Sequence, residues 1–278
     1  MRPASELPVY TIAPAAGWVP VRLGEIWEFR ELLFFLVWRE VKIRYKQTAL
    51  GVGWAIVQPV LAMVVFSIFF GRLGHLPSDG LPYPIFAFSA LVPWQLFAFA
   101  LAESSNSIVA NQRLVTKVYF PRLIMPMAAV GVGLVDCCLS LCVLFGLMAY
   151  YGIAPSAALW TLPAWILLAL ATALAVGVWL SALNVRYRDI RYTLPFLTQI
   201  WLFATPVAYP TSIVPEAWRA IYALNPMVGV VDGFRWALLG RAPAPPLTVA
   251  VSCVAVAALL AGGLFFFRRT ERTFADVI

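Results

Sequence analysis

Six long apolar stretches dominate the pattern of hydrophobic and polar positions along this chain of 278 residues. A helix needs about 20 apolar residues to cross a bilayer, and each stretch comes close to that length. The stretches predict membrane spans at residues 53–70, 84–107, 126–151, 159–183, 193–208 and 248–267. The pattern therefore predicts an all-α integral membrane protein with six transmembrane helices.

Two further segments predict helices beside the membrane rather than across it. Residues 24–46 combine charged residues with apolar residues at helical spacing, which predicts an N-terminal amphipathic helix along the membrane interface. Residues 111–126 predict a cytoplasmic connection with a short amphipathic core. We therefore expect a tail, an interface helix with a hinge, a transmembrane domain and a cytoplasmic tail at residues 1–23, 24–50, 51–268 and 269–278.

The segment 209–241 is too apolar for a simple loop and too interrupted for a span. Pro215 before Glu216 indicates one helix start, and Asn225 as N-cap before Pro226 indicates another. Backbone that is not helical is tolerated at membrane depth only where protein or water covers it. We therefore expect two short re-entrant helices at the outer face, between the fifth and sixth spans.

The basic residues predict the orientation of the chain. With both ends in the cytoplasm, sixteen of the 20 Lys and Arg residues fall on the inner side. The four on the outer side are Arg72, Arg219, Arg235 and Arg241. Because cytoplasmic loops carry an excess of Lys and Arg, we expect both termini to be cytoplasmic.

Composition excludes a soluble enzyme. The chain is 62% hydrophobic and 12% charged, against about 25% charged in soluble domains, and a globule of this length cannot bury so much apolar surface. The net charge of +7 indicates basic residues facing an anionic leaflet rather than nucleic-acid binding. With one histidine and four cysteines inside apolar runs, we expect no metal site and no disulfide.

The chain lacks the motifs of an ATPase or a hydrolase. It has no G-x-x-x-x-G-K-[ST] loop, no H-E-x-x-H and no G-x-S-x-G. Proton-coupled transporters use carboxylates inside the membrane, and the predicted spans contain only Glu103 and Asp136. Each carboxylate either makes a structural contact, for Asp136 with a hydroxyl such as that of Ser140, or takes part in gating.

Aromatic residues in the first two spans have two interpretations. Phe66 and Phe69 lie in the first span, and Phe86, Trp94 and Phe97 lie in the second. They either pack against lipid and core or line a pore along which sugar rings slide.

A basic cluster ends the predicted interface helix, at Arg39, Lys42, Arg44 and Lys46. The cluster either anchors the helix to the inner leaflet or captures an anionic lipid headgroup such as a pyrophosphate. Leu50 and Gly51 follow as a flexible hinge into the first span.

Five spaced motifs resemble those of ABC-2 type polysaccharide exporter permeases, the membrane subunits that export O-antigen, capsule and teichoic acid chains. They are WREVKIRYKQTALGVGWAIVQP (38–59), KVYFPRLIMP (117–126), LNVRYRDIRY (183–192), TPVAYPTSIVP (205–215) and LNPMVGVVDGFRWALLG (224–240). The motifs occur in the family's order, and the resemblance covers nearly the whole chain.

The resemblance implies a function and a set of partners. Such permeases form homodimers, bind two copies of a nucleotide-binding ATPase subunit, and export a polyprenyl-pyrophosphate-linked glycan across the bacterial inner membrane. It implies that ATP and Mg²⁺ bind to the partner ATPase, and that this chain is not an enzyme and holds no cofactor.

The resemblance also assigns roles to segments. Residues 113–126 match the coupling helix that docks on the ATPase, centred on Lys117, Val118, Tyr119, Phe120, Pro121 and Arg122. Residues 209–240 match the outer gate helices, with candidate residues Tyr209, Pro210, Pro215, Asn225 and Pro226. The hinge at Leu50 and Gly51, with the basic cluster before it, matches the region that meets the pyrophosphate head.

Three other interpretations stay open at this point. A drug or lipid exporter of the same superfamily would share most of these features. A membrane enzyme acting on polyprenyl phosphates would need clustered carboxylates or histidines near the interface, which the sequence lacks. A self-contained carrier or channel would work without an ATPase and would depend on Glu103 or Asp136.

Overall fold

The computed structural model describes residues 23–46, 53–240 and 246–274, and every regular element within these ranges is helical. In chain order the α-helices are α1 (Leu23–Glu28), α2 (Arg30–Lys46), α3 (Gly53–Phe66), α4 (Tyr83–Ala110), α5 (Gln112–Lys117), α6 (Ile124–Tyr150), α7 (Leu162–Arg186), α8 (Ile190–Phe203), α9 (Glu216–Tyr222), α10 (Pro226–Leu239) and α11 (Pro246–Thr270). A π-helical turn, Ser67–Leu73, continues α3, and 3-10 turns lie at Ala157–Thr161, Thr211–Ile213 and Glu271–Thr273. The all-α prediction is confirmed.

Five helices in the described residues are long and apolar enough to cross a membrane. They are α3 with its π-helical extension, α4, α6, α7 with the 3-10 turn before it, and α11. Their bounds lie within a few residues of five of the predicted spans. The chain is therefore a multi-pass membrane protein.

The predicted fifth span differs from the helix found there. α8 has 14 residues and is about 21 Å long, whereas the hydrocarbon core is about 30 Å thick. Its helical hydrogen bonding ends at Phe203 because Pro206 lacks an N–H and disfavours helical geometry at Thr205. Apolar content alone extends the predicted span through residues 204–208, because it does not register where helical hydrogen bonding stops.

α4 is the central helix of the bundle. Of its most apolar stretch 78% is buried, against 11% for α3 and 17% for α11. α4 packs against α6 and α7 along most of its length, and α3, α8 and α10 also contact it. The apolar side chains of α3 and α11 are left facing outward, as in helices that face lipid.

Small residues set the closest helix contacts. A Cβ on Gly177 of α7 would stand 2.4 Å from Ser104 Oγ of α4, and a Cβ on Gly233 of α10 would stand 2.4 Å from the Trp165 ring of α7. Gly at these two positions therefore lets α4, α7 and α10 approach closely, the usual device of membrane helix packing.

The outer segment contains the two predicted helices in different environments. α9 begins at Glu216 after Pro215, and α10 begins at Pro226 with Asn225 accepting a hydrogen bond from Met227 N. Both predicted helix starts are confirmed. α9 is exposed, whereas twelve of the fourteen residues of α10 are buried against α4, α7 and α11. The apolar character of this segment thus reflects the buried position of α10.

The predicted interface helix is divided at Phe29 into α1 and α2. α2 packs along α6 and buries Leu36, while Phe34, Phe35 and Trp38 are exposed on its other sides. A helix with one face on the bundle and exposed aromatics beside it is suited to the membrane interface.

Candidate functional site

The predicted coupling segment forms a turn between α5 and α6 in which neighbouring side chains point in different directions. Tyr119 is 82% exposed and Val118 is 52% exposed, whereas Phe120 is 4% exposed. Lys117 ends α5 and is also exposed. The turn therefore presents Lys117, Val118 and Tyr119 outward and uses Phe120 to hold itself to the bundle.

A small cluster of rings supports this turn from behind. Phe120 packs in an apolar cluster that includes Phe267 and Phe274. Arg122, which follows Pro121, donates a hydrogen bond to the Glu271 carbonyl and lies 5.8 Å from the centre of the Phe274 ring. The end of α11 and the turn after it thus hold the second half of the coupling segment, through Phe120 and Arg122.

The structure separates the four residues of the basic cluster into two kinds. Arg39 bonds to Glu40 at 2.5 Å and to Asn111 Oδ1 at 2.9 Å, and Arg44 bonds to Asp136 at 2.7 Å. Lys42 and Lys46 are exposed, with Lys42 Nζ 5.2 Å from the centre of the Trp38 ring. The two arginines are therefore engaged within the chain, and Leu50 and Gly51 lie outside the described residues.

Asp136 makes a tertiary contact that sequence spacing does not reveal. Its carboxylate accepts hydrogen bonds from Arg44 and from the Tyr45 hydroxyl at the end of α2, and it makes no bond to Ser140, so the expected Ser140 partner is wrong. Burial and the hydrogen bond to Asp136 raise the pKa of Tyr45 to about 12. Asp136 thereby ties the end of α2 to α6.

Glu103 lies in the C-terminal half of α4 and lines a cavity of about 330 Å³ between α2, α4 and α6. Glu40, Arg44 and Asn106 line the same cavity. The Glu103 carboxylate therefore faces charged and polar groups of the interface helix.

A second cavity, of about 400 Å³, lies between α3, α4 and α6 and is closed on one side by the end of α2. We refer to it as the amide cavity, because its polar lining includes Gln58 of α3 and Gln95 of α4. Asp136 and Ser140 of α6 and the rings of Trp54 and Phe99 also line it. The sequence singles out Asp136, and Ser140 as its expected partner, but gives no sign that Trp54, Gln58, Gln95 and Phe99 share a cavity with them.

Four side chains hold the carbonyls of the irregular backbone that follows α8, and we call them the carbonyl clamp. Tyr83 donates to Ala208 O at 2.7 Å, Tyr209 to Phe203 O at 2.8 Å, Asn225 to Ala204 O at 3.0 Å and Arg235 to Val207 O at 3.0 Å. These bonds supply the partners that the backbone lacks where it leaves the helix. The clamp thus ties the segment after α8 to α4 and α10.

Arg235 and Asp232 form the charged centre of this region. The Arg235 guanidinium is buried and lies 3.7 Å from the centre of the Phe86 ring, and Asp232 accepts hydrogen bonds of 2.8 and 2.6 Å from Thr211. Burial raises the pKa of Asp232, against the opposing effects of Thr211 and Arg235, and burial lowers the pKa of Arg235 to about 10. Asp232 was overlooked as a buried carboxylate, and Arg235 was expected at the outer surface.

One sequence signal could have revealed this pair. Asp232 and Arg235 stand three residues apart in a stretch, 226–239, that is otherwise apolar. Opposite charges at this spacing share one helix face, and charged residues are rarely buried without an opposite charge nearby.

The other outer-gate candidates take supporting positions. Pro210 and Pro215 precede the 3-10 turn Thr211–Ile213 and α9 respectively, and Pro226 is the first residue of α10. The Tyr209 and Tyr222 hydroxyls lie 3.0 Å apart, which connects the segment after α8 to α9.

The candidate pore aromatics are not brought together on one surface. Phe86, Trp94 and Phe97 are at most 5% exposed, and Phe97 meets Trp201 edge to face at 4.8 Å. Phe66 is partly buried, and Phe69 is 59% exposed on the π-helical turn. In this structure the three α4 rings are core residues, because α4 is enclosed by its neighbours, whereas Phe69 and part of Phe66 are open to a pore or to lipid.

Comparison with known proteins gives consistent matches. Residues 31–239 match the family model described as ABC-2 type transporter. The chain is 33% identical over 259 residues to the O-antigen export system permease protein RfbA of Myxococcus xanthus, covering 91% of this chain and 98% of that protein. It is 25% identical over 206 residues to the protein of the same name from Klebsiella pneumoniae, covering 74% and 79%. It is 23% identical over 207 residues to the polysialic acid transport protein KpsM of Escherichia coli, covering 72% and 78%.

Proposed function

The chain belongs to the ABC-2 type transporter family, and we propose that it is the permease subunit of an ATP-driven exporter of lipid-linked, O-antigen-like polysaccharide. The observation that carries this proposal is the similarity to an O-antigen export permease over nearly the full length of both chains. The amphiphilic substrate would move from the cytoplasm to the periplasm across a bacterial inner membrane.

We propose a homodimer that binds two copies of a separate ATPase subunit. The absence of a phosphate-binding loop from the sequence supports a partner that binds ATP and Mg²⁺. The exposed side chains of Lys117, Val118 and Tyr119, held on a rigid cluster behind them, suit a surface that a partner pushes. Closure of the ATPase dimer would move this turn and, through it, α3 and α8 at a pore between the two protomers.

We further propose six crossings with both termini in the cytoplasm. The sixth crossing would be α8 together with the segment 204–210, and the re-entrant outer helices would be α9 and α10. The carbonyl clamp supports this, because it supplies hydrogen bonds to backbone that lipid would leave unpaired.

The lipid headgroup would meet the exposed lysines of the basic cluster. Lys42 and Lys46 have exposed side chains at the end of α2, and Lys46 comes a few residues before Leu50 and Gly51 in the sequence. A pyrophosphate needs cations that are available to it, and the two arginines of the cluster already bond to carboxylates.

The test is to purify the full chain with a candidate ATPase subunit and to reconstitute the complex in vesicles. We expect polyprenyl-pyrophosphate-linked glycan to stimulate ATP hydrolysis, and cells lacking the chain to lose surface glycan. Stimulation by hydrophobic drugs or by phospholipid alone, with no response to the glycolipid, would instead identify a drug or lipid exporter. Transport by the chain without any ATPase would overturn the proposal.

A further inference from the structure

The amide cavity contains polar side chains that have no partner within the described part of the chain. Gln58, Gln95 and Ser140 line the cavity, and none of them makes a hydrogen bond. Each amide offers two donors and a carbonyl acceptor, and the hydroxyl offers a donor and an acceptor. Their polar atoms are accessible from the cavity rather than sealed in the core, so they are free to bond to a polar ligand that enters it.

The cavity reaches the middle of the spanning helices. Gln95 lies twelve residues after the start of α4, and Asp136 lies twelve residues after the start of α6, which is about 18 Å along each helix. Polar residues at such depth in membrane proteins are rare, and they commonly line substrate paths. With a volume of about 400 Å³, the cavity also lies within the usual size of small-ligand sites, roughly 300–1,000 Å³.

The charges of the lining cancel one another. Among the described residues that line the cavity, Arg44 and Asp136 are the only charged ones, and they are bonded to each other at 2.7 Å. The guanidinium also lies 4.2 Å from the centre of the Phe99 ring. An anionic phosphate would have to break this pair to find a free cation, so the cavity favours a neutral group.

Two aromatic rings complete the lining. The indole of Trp54 on α3 is 52% exposed, and Phe99 of α4 lies opposite Arg44. An aromatic face carries partial negative charge and attracts the partially positive C–H bonds of a ring stacked on it. Neutral amides and a hydroxyl beside an indole face match a group with hydroxyls at its edge and C–H bonds on its face.

We infer that the amide cavity binds one neutral sugar ring, with its hydroxyls bonded to Gln58, Gln95 and Ser140 and its C–H face on Trp54. The inference rests on the proposed function only for the source of the sugar, which would be a unit of the exported glycan. A sugar held here lies between the spanning helices, apart from the exposed Lys42 and Lys46 at the end of α2.

Binding is measured on the full-length chain in lipid nanodiscs, without the ATPase. Saturation-transfer NMR is recorded with a panel of neutral methyl glycosides, and inorganic pyrophosphate is followed separately by phosphorus NMR. We expect at least one glycoside to bind, and we expect its affinity to fall roughly tenfold in the double variant Gln58→Leu, Gln95→Leu, as the loss of one to two hydrogen bonds predicts. Pyrophosphate binding stays unchanged in the same variant.

Two further variants separate binding from folding. Thr172→Val is the matched control: it removes a buried hydroxyl that already bonds to Leu168 O on α7, away from the cavity, and it leaves glycoside binding intact. Trp54→Leu changes a half-exposed ring, so we expect the fold to tolerate it, and it weakens glycoside binding even if the double variant fails to fold.

Three outcomes overturn the inference. They are the absence of binding for every glycoside, an unchanged affinity in both Trp54→Leu and the double variant, and loss of pyrophosphate binding in the double variant. Each is distinguishable from failure of the proposed function, because export is scored separately as surface glycan in cells.

Discussion

At the scale of single residues, adjacent aromatic side chains of the coupling segment lie in different environments. Tyr119 projects from the turn between α5 and α6, whereas Phe120 is enclosed by the rings at the end of α11. An exposed side chain can be lost without leaving a cavity, and an enclosed one cannot. Replacing Tyr119 is therefore expected to affect partner contact, whereas replacing Phe120 is expected to affect stability.

We expect Tyr119→Ala to reduce glycolipid-stimulated ATP hydrolysis severalfold while the melting temperature of the permease stays unchanged. We expect Phe120→Ala to destabilise the permease by about 3–5 kcal/mol, because it empties a buried ring site. The measurements are ATPase assays of the reconstituted complex and thermal unfolding of the permease alone. Tyr150→Ala is the matched control, since Tyr150 is also 82% exposed but lies at the opposite end of α6. Normal coupling in Tyr119→Ala would contradict the docking role.

At the scale of elements, side chains of neighbouring helices stabilise the backbone that is not helical by bonding to its carbonyl groups. The carbonyl clamp joins α4 and α10 to the segment after α8, so these elements are expected to move together. Close packing through Gly177 joins α4 to α7 in the same way.

We expect Arg235→Leu to destabilise the permease by roughly 1–3 kcal/mol, because it leaves Val207 O without a donor and removes a positive charge that favours the ionised form of Asp232. Arg235→Lys keeps the positive charge and is expected to cost less. The direct measurement is hydrogen exchange, which should rise across residues 204–210. Arg219→Leu on the exposed helix α9 serves as control, with an expected change below about 1 kcal/mol. Unchanged exchange in Arg235→Leu would show that the clamp does not hold this segment.

We expect Gly177→Ala to lower stability by about 1–3 kcal/mol, because the new Cβ would clash with Ser104 on α4. Gly146→Ala provides the comparison within a spanning helix, since nothing lies within 4 Å of a Cβ at Gly146. That control is expected to be neutral or slightly stabilising because Ala favours helix. Thermal unfolding of both variants in the same detergent decides the matter, and equal melting temperatures would refute close packing of α4 on α7.

At the scale of the whole molecule, the distribution of basic residues predicts how the bundle sits in the membrane. Most Lys and Arg residues fall on the side of the coupling turn, which includes Arg113, Lys117 and Arg122. The 3-10 turn Ala157–Thr161 lies at the other end of the bundle, after α6 and before α7. The positive side of a membrane protein faces the cytoplasm.

We expect single cysteines at Tyr119 and Trp160 to react with a membrane-impermeant maleimide from opposite sides of the inner membrane. Both side chains are more than 80% exposed, so each position is open to reagent. The experiment uses a chain whose four native cysteines are replaced by Ala or Ser, and compares intact spheroplasts with inside-out vesicles. Trp160→Cys should react in spheroplasts and Tyr119→Cys only in the vesicles. The reverse pattern would invert the proposed topology.

Several features of this protein follow from the sequence by itself. Five spanning helices, the caps of α9 and α10 and the exposed end of α5 all depend on residues close together along the chain, and the spaced motifs indicate the family. Local apolar length, N-cap chemistry and proline placement act within a few residues, so they can be identified without a fold.

Only the tertiary structure decided the rest. Arg44 and Asp136 stand 92 residues apart, and Arg235 and the Phe86 carbonyl stand 149 apart, so no local spacing predicts either contact. The same holds for the burial of the α4 aromatics, for the core position of α10 and for the amide cavity, whose lining comes from four helices. The sequence determines which segments are apolar enough to cross the membrane. Packing determines which polar side chains are hydrogen-bonded within the chain and which face a cavity.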